Sequence, residues 1–530
     1  MSRQQETKSL KQSTNPNHDD LGENVQHVSG IIGGWGPLQR RLMFLLVIVY
    51  WAAPFNNQSL LYYVIKSDLW CVKPSGVKVT IKADHCSFKE LGQCSAWGHN
   101  TTRGTVTKEW NIVCENYWQR SLALSAYQMG YLVSGPLVGS LSDKFGRKNA
   151  MIGCLMCEII CSILLYLSSS IEMFTIVRII HGIGGYGRYL SSLVLLVESV
   201  GPKVRGKVVV SFDWIWFGGE YVMILVTYFV SNFRHIYLGS AIFQIFCLTI
   251  VMPKVTESIR WQLVNGQENK AEKVLRKYSV GQGKMDEDTF QLKFASLRDN
   301  VLSSLKSTQK KETIFNLYRN PTLLKYCCGL YVIWFTMFFT LFGLTYTTLD
   351  LSGNIFINNA IFAIAGIVAL GFMTWKVEYF KRKTLIFILC LCTSLTLLAS
   401  IPLLYTPQYI VPRTILLTAG KFFSSSMMIL LYVYSPEVFP TSIRHLGVGT
   451  CSTAARIATI SAPYVAQFTA RVDLRITVGL FATLGMIGAV TSFILPETKD
   501  KEISDTVDEM IKQSTKPDEE EMINRQDNRP

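Results

Sequence analysis

The chain has 530 residues, of which 49% are hydrophobic, 12% aromatic and only 17% charged, with a net charge of +14. That balance is too apolar for an ordinary soluble protein of this length, because apolar windows the thickness of a bilayer core, about 20 residues, recur along it. The surplus of Lys and Arg lies in short loops between these windows and not on a separate folded domain, which argues against nucleic acid as a partner.

The N-terminal segment, 1–41, is expected to be cytosolic, since Met1 to Gly30 is polar and lacks the short apolar core of a secretory signal. Hydrophobic runs then predict spans at 42–65, 119–141, 149–168, 172–198, 207–230 and 235–253, a first set of six over 42–253. A polar stretch at 254–321 follows, helical around ENKAEKVLRKY and read as a cytosolic linker. A second set, 322–348, 354–375, 384–405, 409–435, 446–470 and 473–495, fills 322–495, and 496–530 is a charged cytosolic tail. The expected fold is all-α and integral to the membrane, twelve helices in two six-helix halves. Basic residues in QRR, DKFGRK, PKVRGK and KVEYFKRK all fall on one side, which the positive-inside rule assigns to the cytosol.

The long loop 66–118 between the first two spans therefore lies outside. It collects Cys71, Cys86, Cys94 and Cys114, which in an oxidising compartment read as disulfide partners with three pairings open. A zinc site is the rival, without CxxC or paired-His spacing to support it. Asn100-Thr101-Thr102 is the accessible glycosylation sequon, whereas Asn57-Gln58-Ser59 lies inside a span.

Three motifs recur at a nearly constant offset. LSDKFGRKN after span 2 aligns with WKVEYFKRKT after span 8, placing Glu378 opposite Asp143 and Arg382 opposite Arg147, with Lys381 where Gly146 stands. LVLLVESVGPKVRGK after span 4 aligns with LYVYSPEVFPTSIRHLG after span 10, giving Glu198 with Arg205 and Glu437 with Arg444. VTESIRWQL and LPETKDKE, beyond spans 6 and 12, pair Glu257 with Glu497. Such agreement implies a duplicated six-helix unit. Opposite charges at these helix ends are expected to bridge neighbouring helices as gating latches.

On Asp143, Gly146, Arg147 and Lys148, with Arg178 and Gly182 in RIIHGIGG, the chain resembles the major facilitator superfamily. GGWGPLQRR, the cysteine-bearing outer loop, EWNIVCE and YSPEVFPTSIRHLGVG resemble its organic cation, organic anion and carnitine transporter family, of the solute carrier family 22 type. The sequence departs from that family's pattern in VTESIRWQL, which lacks a proline-rich PESPRW form, and at Lys381, Phe233 and Gly366. The GxGxxG at Gly182 to Gly187 lies inside a span and is read as helix packing, not as a dinucleotide site. No HExxH, GxSxG or Walker-type loop appears in the sequence, so no enzyme, cofactor or metal is expected.

A charge inside the bilayer costs at least about 2.5–3.5 kcal/mol and marks a functional candidate. Asp213 and Glu220 share a face of span 5, and Arg188 in span 4 is expected to neutralise one of them. Lys421 lies in span 10, and Arg456 lies in CSTAARIATISAP of span 11 on a polar stripe with Ser452 and Thr459. Glu158 has a weaker claim. Trp334, Phe338, Phe342 and Tyr346 form an i, i+4 strip in span 7, either helix packing or a substrate wall.

The family resemblance implies arginine at the Arg456 position in organic anion and carnitine-type members and an acidic residue in cation transporters. It also implies a glutamate in span 8 of cation and carnitine members, where Gly366 stands. Electrostatics points the same way, since two buried cations favour a carboxylate. The expectation is a plasma-membrane transporter of a carboxylate-bearing organic anion or a carnitine-like zwitterion by alternating access. An organic cation carrier and a transport-inactive receptor or scaffold are the alternatives, and a coupling ion or exchanged anion is compatible with each.

Overall fold

In lipid a backbone must satisfy its own N–H and C=O groups, and the apolar runs accordingly form long helices. The computed structural model describes residues 25–499 except 26, 66, 82–91, 308–315, 350, 352 and 441. The terminal segments, Cys86 and the side chains of Cys114 and Asp213 thus lie outside the described residues, and the expectations placed on them stay there.

The first half comprises α1 (Pro37–Tyr63), α2 (Trp118–Phe145), α3 (Arg147–Leu167), α4 (Ile171–Ser199), α5 (Pro202–Phe229) and α6 (Phe233–Lys254). The linker folds as α7 (Ile259–Val264), α8 (Glu268–Tyr278) and α9 (Glu287–Ser307). The second half comprises α10 (Pro321–Thr347), α11 (Ile355–Lys376), α12 (Arg382–Leu403), α13 (Ile410–Val438), α14 (Arg444–Val472) and α15 (Leu474–Ile494). Among the described residues nine helices are long and apolar enough to cross a membrane by themselves. Three more in the two halves, α2, α4 and α14, carry charges such as Arg120, Arg178, Arg188 and Arg456 within their runs.

Local chemistry sets the ends. Asn232, Asn320, Asn354 and Asp473 each turn a side-chain oxygen onto backbone N–H groups that open the next helix. The expected single helix at 42–65 is instead broken: α1 is helical over Pro37–Tyr50 and Ala53–Gln58, then closes as a 3₁₀ turn over Ser59–Tyr63. Pro54 cannot donate to the turn before it, and the break falls there. The linker is more than a solvated loop, because Leu275, Phe290, Phe294 and Leu297 bury a small core against Ile31, Ile32 and Leu38.

Loop 66–118 departs from the all-α expectation. It carries an antiparallel sheet in the order β2-β1-β3, with β1 (Leu69–Val72), β2 (Lys78–Ile81) and β3 (Ala96–His99), and Leu69 opposite both Ile81 and His99. A Cys71–Cys94 disulfide ties β1 to the segment entering β3. Asn100 is exposed just past β3.

Close helix contacts explain the glycines of α4. A Cβ added at Gly182 would stand 2.2 Å from the Tyr127 carbonyl oxygen, and one at Gly130 only 2.1 Å from that of Ile179. Backbones of α2 and α4 therefore touch directly, as small residues in a membrane bundle allow.

Candidate functional site

The repeated motifs assemble into one network per half. In the first, Arg147 stands 3.0 Å from Glu198 Oε1 and 3.0 Å from Asp143, Ser258 Oγ donates to Glu198 at 2.5 Å, and Glu257 accepts from the backbone N–H of Arg147 and of Lys148. In the second, Arg382 Nε stands 3.3 Å from Glu437, Thr498 Oγ1 donates to Glu437 at 2.6 Å, and Glu497 accepts from the N–H of Arg382 and of Lys383. Glu257 and Glu497 thus occupy the N-termini of α3 and α12, where unpaired N–H groups favour a carboxylate.

Two expectations change here. Glu198 and Glu437 turn to Arg147 and Arg382 inside their own half, and Arg205 and Arg444, seven residues on, pair with neither. The ion pairs therefore staple each half and do not cross between halves in this arrangement. Glu378 is exposed, without an ion pair among the described residues, unlike its counterpart Asp143. Gly146 has φ +99°, and a Cβ there would stand 2.5 Å from Glu257, whereas Lys381 at the matching position has an ordinary φ of −61°.

At the end bearing these charges, a cavity of about 1050 Å³ is lined by Asp143, Glu198, Arg205 and Arg260 on one side and by Arg444 and His445 on the other. Contacts between the halves lie toward the opposite end and the middle. Ser121 and Ser125 of α2 donate to the carbonyls of Pro463 and Ile460 in α14, and Tyr221 of α5 donates to that of Ala360 in α11. The Phe217 ring packs over Gly366, where an added Cβ would stand 2.3 Å away. At Gly366, then, the backbone is a seat for an aromatic ring of the other half.

Arg456 lies in the seam. Its guanidinium carbon is 5.1 Å from the Tyr131 ring and 4.9 Å from the Tyr186 ring, both from the first half. Tyr131, Tyr186 and Tyr189 continue this aromatic surface to Tyr50, with centroids 4.8, 5.9 and 5.2 Å apart in turn. No carboxylate pairs with Arg456 among the described residues. Of its stripe, Thr459 is buried and donates to the Arg456 carbonyl, and Ser452 is half-buried.

The other intramembrane charges are placed differently. Arg188, fully buried, stands 3.0 Å from Glu158 and donates to the Val49 carbonyl at 2.5 Å, so its described partner is Glu158 and not Glu220, while Asp213 lies outside the described side chains. Glu158 also accepts from Gln244 at 2.6 Å and from Asn56 at 3.3 Å, closing a polar cluster behind the break in α1. The helical periodicity of α4 fixes the face carrying Arg188 but not which neighbour that face meets. Arg178 donates to the Ala123 carbonyl and to the Tyr237 hydroxyl, tying α4 to α2 and α6. Lys421 donates to the Leu341 carbonyl at 3.1 Å and to Thr345 Oγ1 at 2.5 Å, with Glu220 of the first half in electrostatic reach.

Within the strip on α10, Trp334 and Phe338 stack at 5.2 Å, and Phe338 and Phe342 at 6.5 Å. Trp334 is fully buried with its indole N–H on Ser435, and Phe338 and Tyr346 are buried as well. These three pack helices; Phe342 is half-buried, and Tyr432, edge-on to Trp334 at 5.0 Å, is the more exposed ring. Sequence reasoning missed Tyr131, Tyr186 and Tyr432, because a tyrosine in an apolar helix gives no signal of its own.

A family model described as "Sugar (and other) transporter" matches residues 82–509. The chain is 26% identical to organic cation/carnitine transporter 2 of Homo sapiens over 536 residues, covering 92% of this chain and 94% of that protein. It is 28% identical to organic anion transporter 3 of Rattus norvegicus over 416 residues, 78% of this chain and 76% of that one. Among solved structures, the inward open conformation of the E. coli xylose transporter XylE is similar with a TM-score of 0.62 at 16% identity, over 90% of this chain and 98% of that one.

Proposed function

The chain belongs to the sugar (and other) transporter family and has the major facilitator fold, and from that premise we propose that it carries a carboxylate-bearing organic anion or a carnitine-like zwitterion across the plasma membrane. Membrane transport of small organic ions is the activity named for its curated relatives, both cation/carnitine and anion types. The observation that carries the finer reading is Arg456: a guanidinium at the seam of the two halves, held by two tyrosine faces and paired with no acid. The tyrosines meet the charge with ring faces and a Tyr186 hydroxyl contact but bring no counter-anion, so the guanidinium can still receive a carboxylate. Glu220, the anchor a cation would use, faces Lys421, which offsets its charge.

In this reading the basic end is cytosolic, as are both termini, and loop 66–118 with Asn100 as its glycan site is extracellular. The cavity of about 1050 Å³ then opens to the cytosol, and the contacts of α2 with α14 close the outside. Alternating access follows if the halves rock about the seam holding Arg456, with Glu198–Arg147 and Glu437–Arg382 keeping each half rigid as it moves.

The test is an uptake panel of a dicarboxylate, an aromatic carboxylate, carnitine and a tetraalkylammonium ion, on the parent and on Arg456→Ala. Uptake of the carboxylates is expected in the parent, and it should fall about tenfold or more in Arg456→Ala. Uptake of tetraalkylammonium alone, unchanged in that variant, would establish the cation carrier, and uptake of nothing at normal surface levels would establish a receptor or scaffold.

A further inference from the structure

The cytosolic mouth holds cationic groups that the transport reading leaves unused. Arg205 has no ion-pair or hydrogen-bond partner among the described residues, and its Nε is shielded from water without an acceptor. Arg444 donates to the Phe439 carbonyl through Nε, while one of its terminal nitrogens is likewise shielded and unmet. Arg260 and His445, both exposed, complete the basic lining.

The acidic groups on the same wall do not cancel this charge. Glu198 is committed to Arg147 and Ser258, and Asp143, with its side chain 76% exposed, leans on Arg147 as well. His27 lies beside Arg205 and Arg260; burial first, then those two charges, hold its imidazole below the usual range, so it adds no positive charge near neutral pH. Three guanidiniums set against one excess carboxylate leave a mouth that attracts anions.

We propose that this mouth is a second anion site, selective for a tetrahedral dianion such as phosphate or a phosphate monoester, held between Arg205 and Arg260 on one side and Arg444 on the other. A carboxylate presents two oxygens in one plane and is served by a single arginine fork. A phosphate presents oxygens in several directions and accepts forks arriving from both halves at once. The site is separate from Arg456, since Arg444 and Arg456 are twelve residues apart on α14, about 18 Å along the axis. An occupant bound to both halves stabilises the arrangement with the mouth open and so slows the rocking that returns the carrier outward. That consequence rests on the transport reading; the binding itself does not.

The test uses the purified full-length protein and follows its melting temperature in inorganic phosphate against chloride at equal ionic strength. Phosphate is expected to raise the melting temperature of the parent and of Arg456→Ala alike. In Arg205→Gln/Arg444→Gln the concentration needed should rise about tenfold or more, as expected when charge-assisted hydrogen bonds are removed. Arg260→Gln, at an exposed position, should weaken the shift where the double variant fails to fold. A shift missing in the parent, retained unchanged in the mouth variants, abolished by Arg456→Ala, or matched by succinate in Arg456→Ala overturns the proposal. Failure of the carboxylate uptake reading would alter none of these outcomes.

Discussion

Two arginines stand in the middle of membrane helices, and they live by opposite rules. Arg188 is sealed inside the first half, with Glu158 and the Val49 carbonyl meeting its charge and the amides of Gln244 and Asn56 donating to Glu158 in turn. Arg456 is at the seam between halves, where its neighbours are tyrosines and, among the described residues, it pairs with no carboxylate. A buried charge that meets an opposite charge specifies structure, whereas one left with only tyrosine neighbours is available to a ligand. Position along a helix does not separate the two cases; the supply of counter-charge does.

The comparison breaks most sharply at Arg188. Arg188→Ala leaves Glu158 buried and unpaired, a loss of about 3–5 kcal/mol, and should be read as a collapse of surface expression and melting temperature. Arg188→Leu with Glu158→Leu should recover much of both. If Arg188→Ala instead folds normally and loses only uptake, Arg188 is a substrate residue and the contrast fails. Arg456→Ala is expected to reach the surface normally while carboxylate uptake falls about 10- to 100-fold, the worth of one charge-assisted bidentate contact of about 1.5–3 kcal/mol.

The repeated networks sharpen the contrast between halves. Glu198→Gln and Glu437→Gln each remove a partly exposed ion pair worth about 1 kcal/mol, so each should slow uptake by a similar factor of about five. Strongly unequal effects would show that the two staples serve different purposes. Smallest is Tyr186→Leu, which removes one of the two rings around Arg456 and forfeits about 0.5–1 kcal/mol. A two- to five-fold rise in KM for carboxylates, with expression unchanged, is expected, and Tyr186→Phe, which keeps the ring and loses the hydroxyl contact, should restore part of it.

Much of the helical framework was legible because a bilayer leaves little choice: the runs beginning near 119, 149, 172 and 322 became helices starting at Trp118, Arg147, Ile171 and Pro321. The repeat was legible too, since its charges recur at a fixed offset. What those charges bind was not. Glu198 and Arg205 recur together in the repeated motif, yet Glu198 alone bridges to Arg147 on the neighbouring helix, and Arg205 is left to the cavity. The break in α1 lay inside a span marked by Pro54 and the polar Asn56 to Ser59, and the small sheet in loop 66–118 had no periodicity strong enough to announce it.

By itself the sequence determined that this chain is a membrane bundle built from a duplicated unit, because hydropathy and repeat spacing are properties of the chain's order. It also named Arg456 as an anomaly in CSTAARIATISAP. Only the tertiary structure decided that Glu158 belongs to Arg188, that Lys421 is anchored on α10, and that Arg456 faces Tyr131 and Tyr186. Helical periodicity tells which side chains share a face; which helix that face meets is settled by packing between segments that can stand hundreds of residues apart, and counter-charge is a property of that meeting.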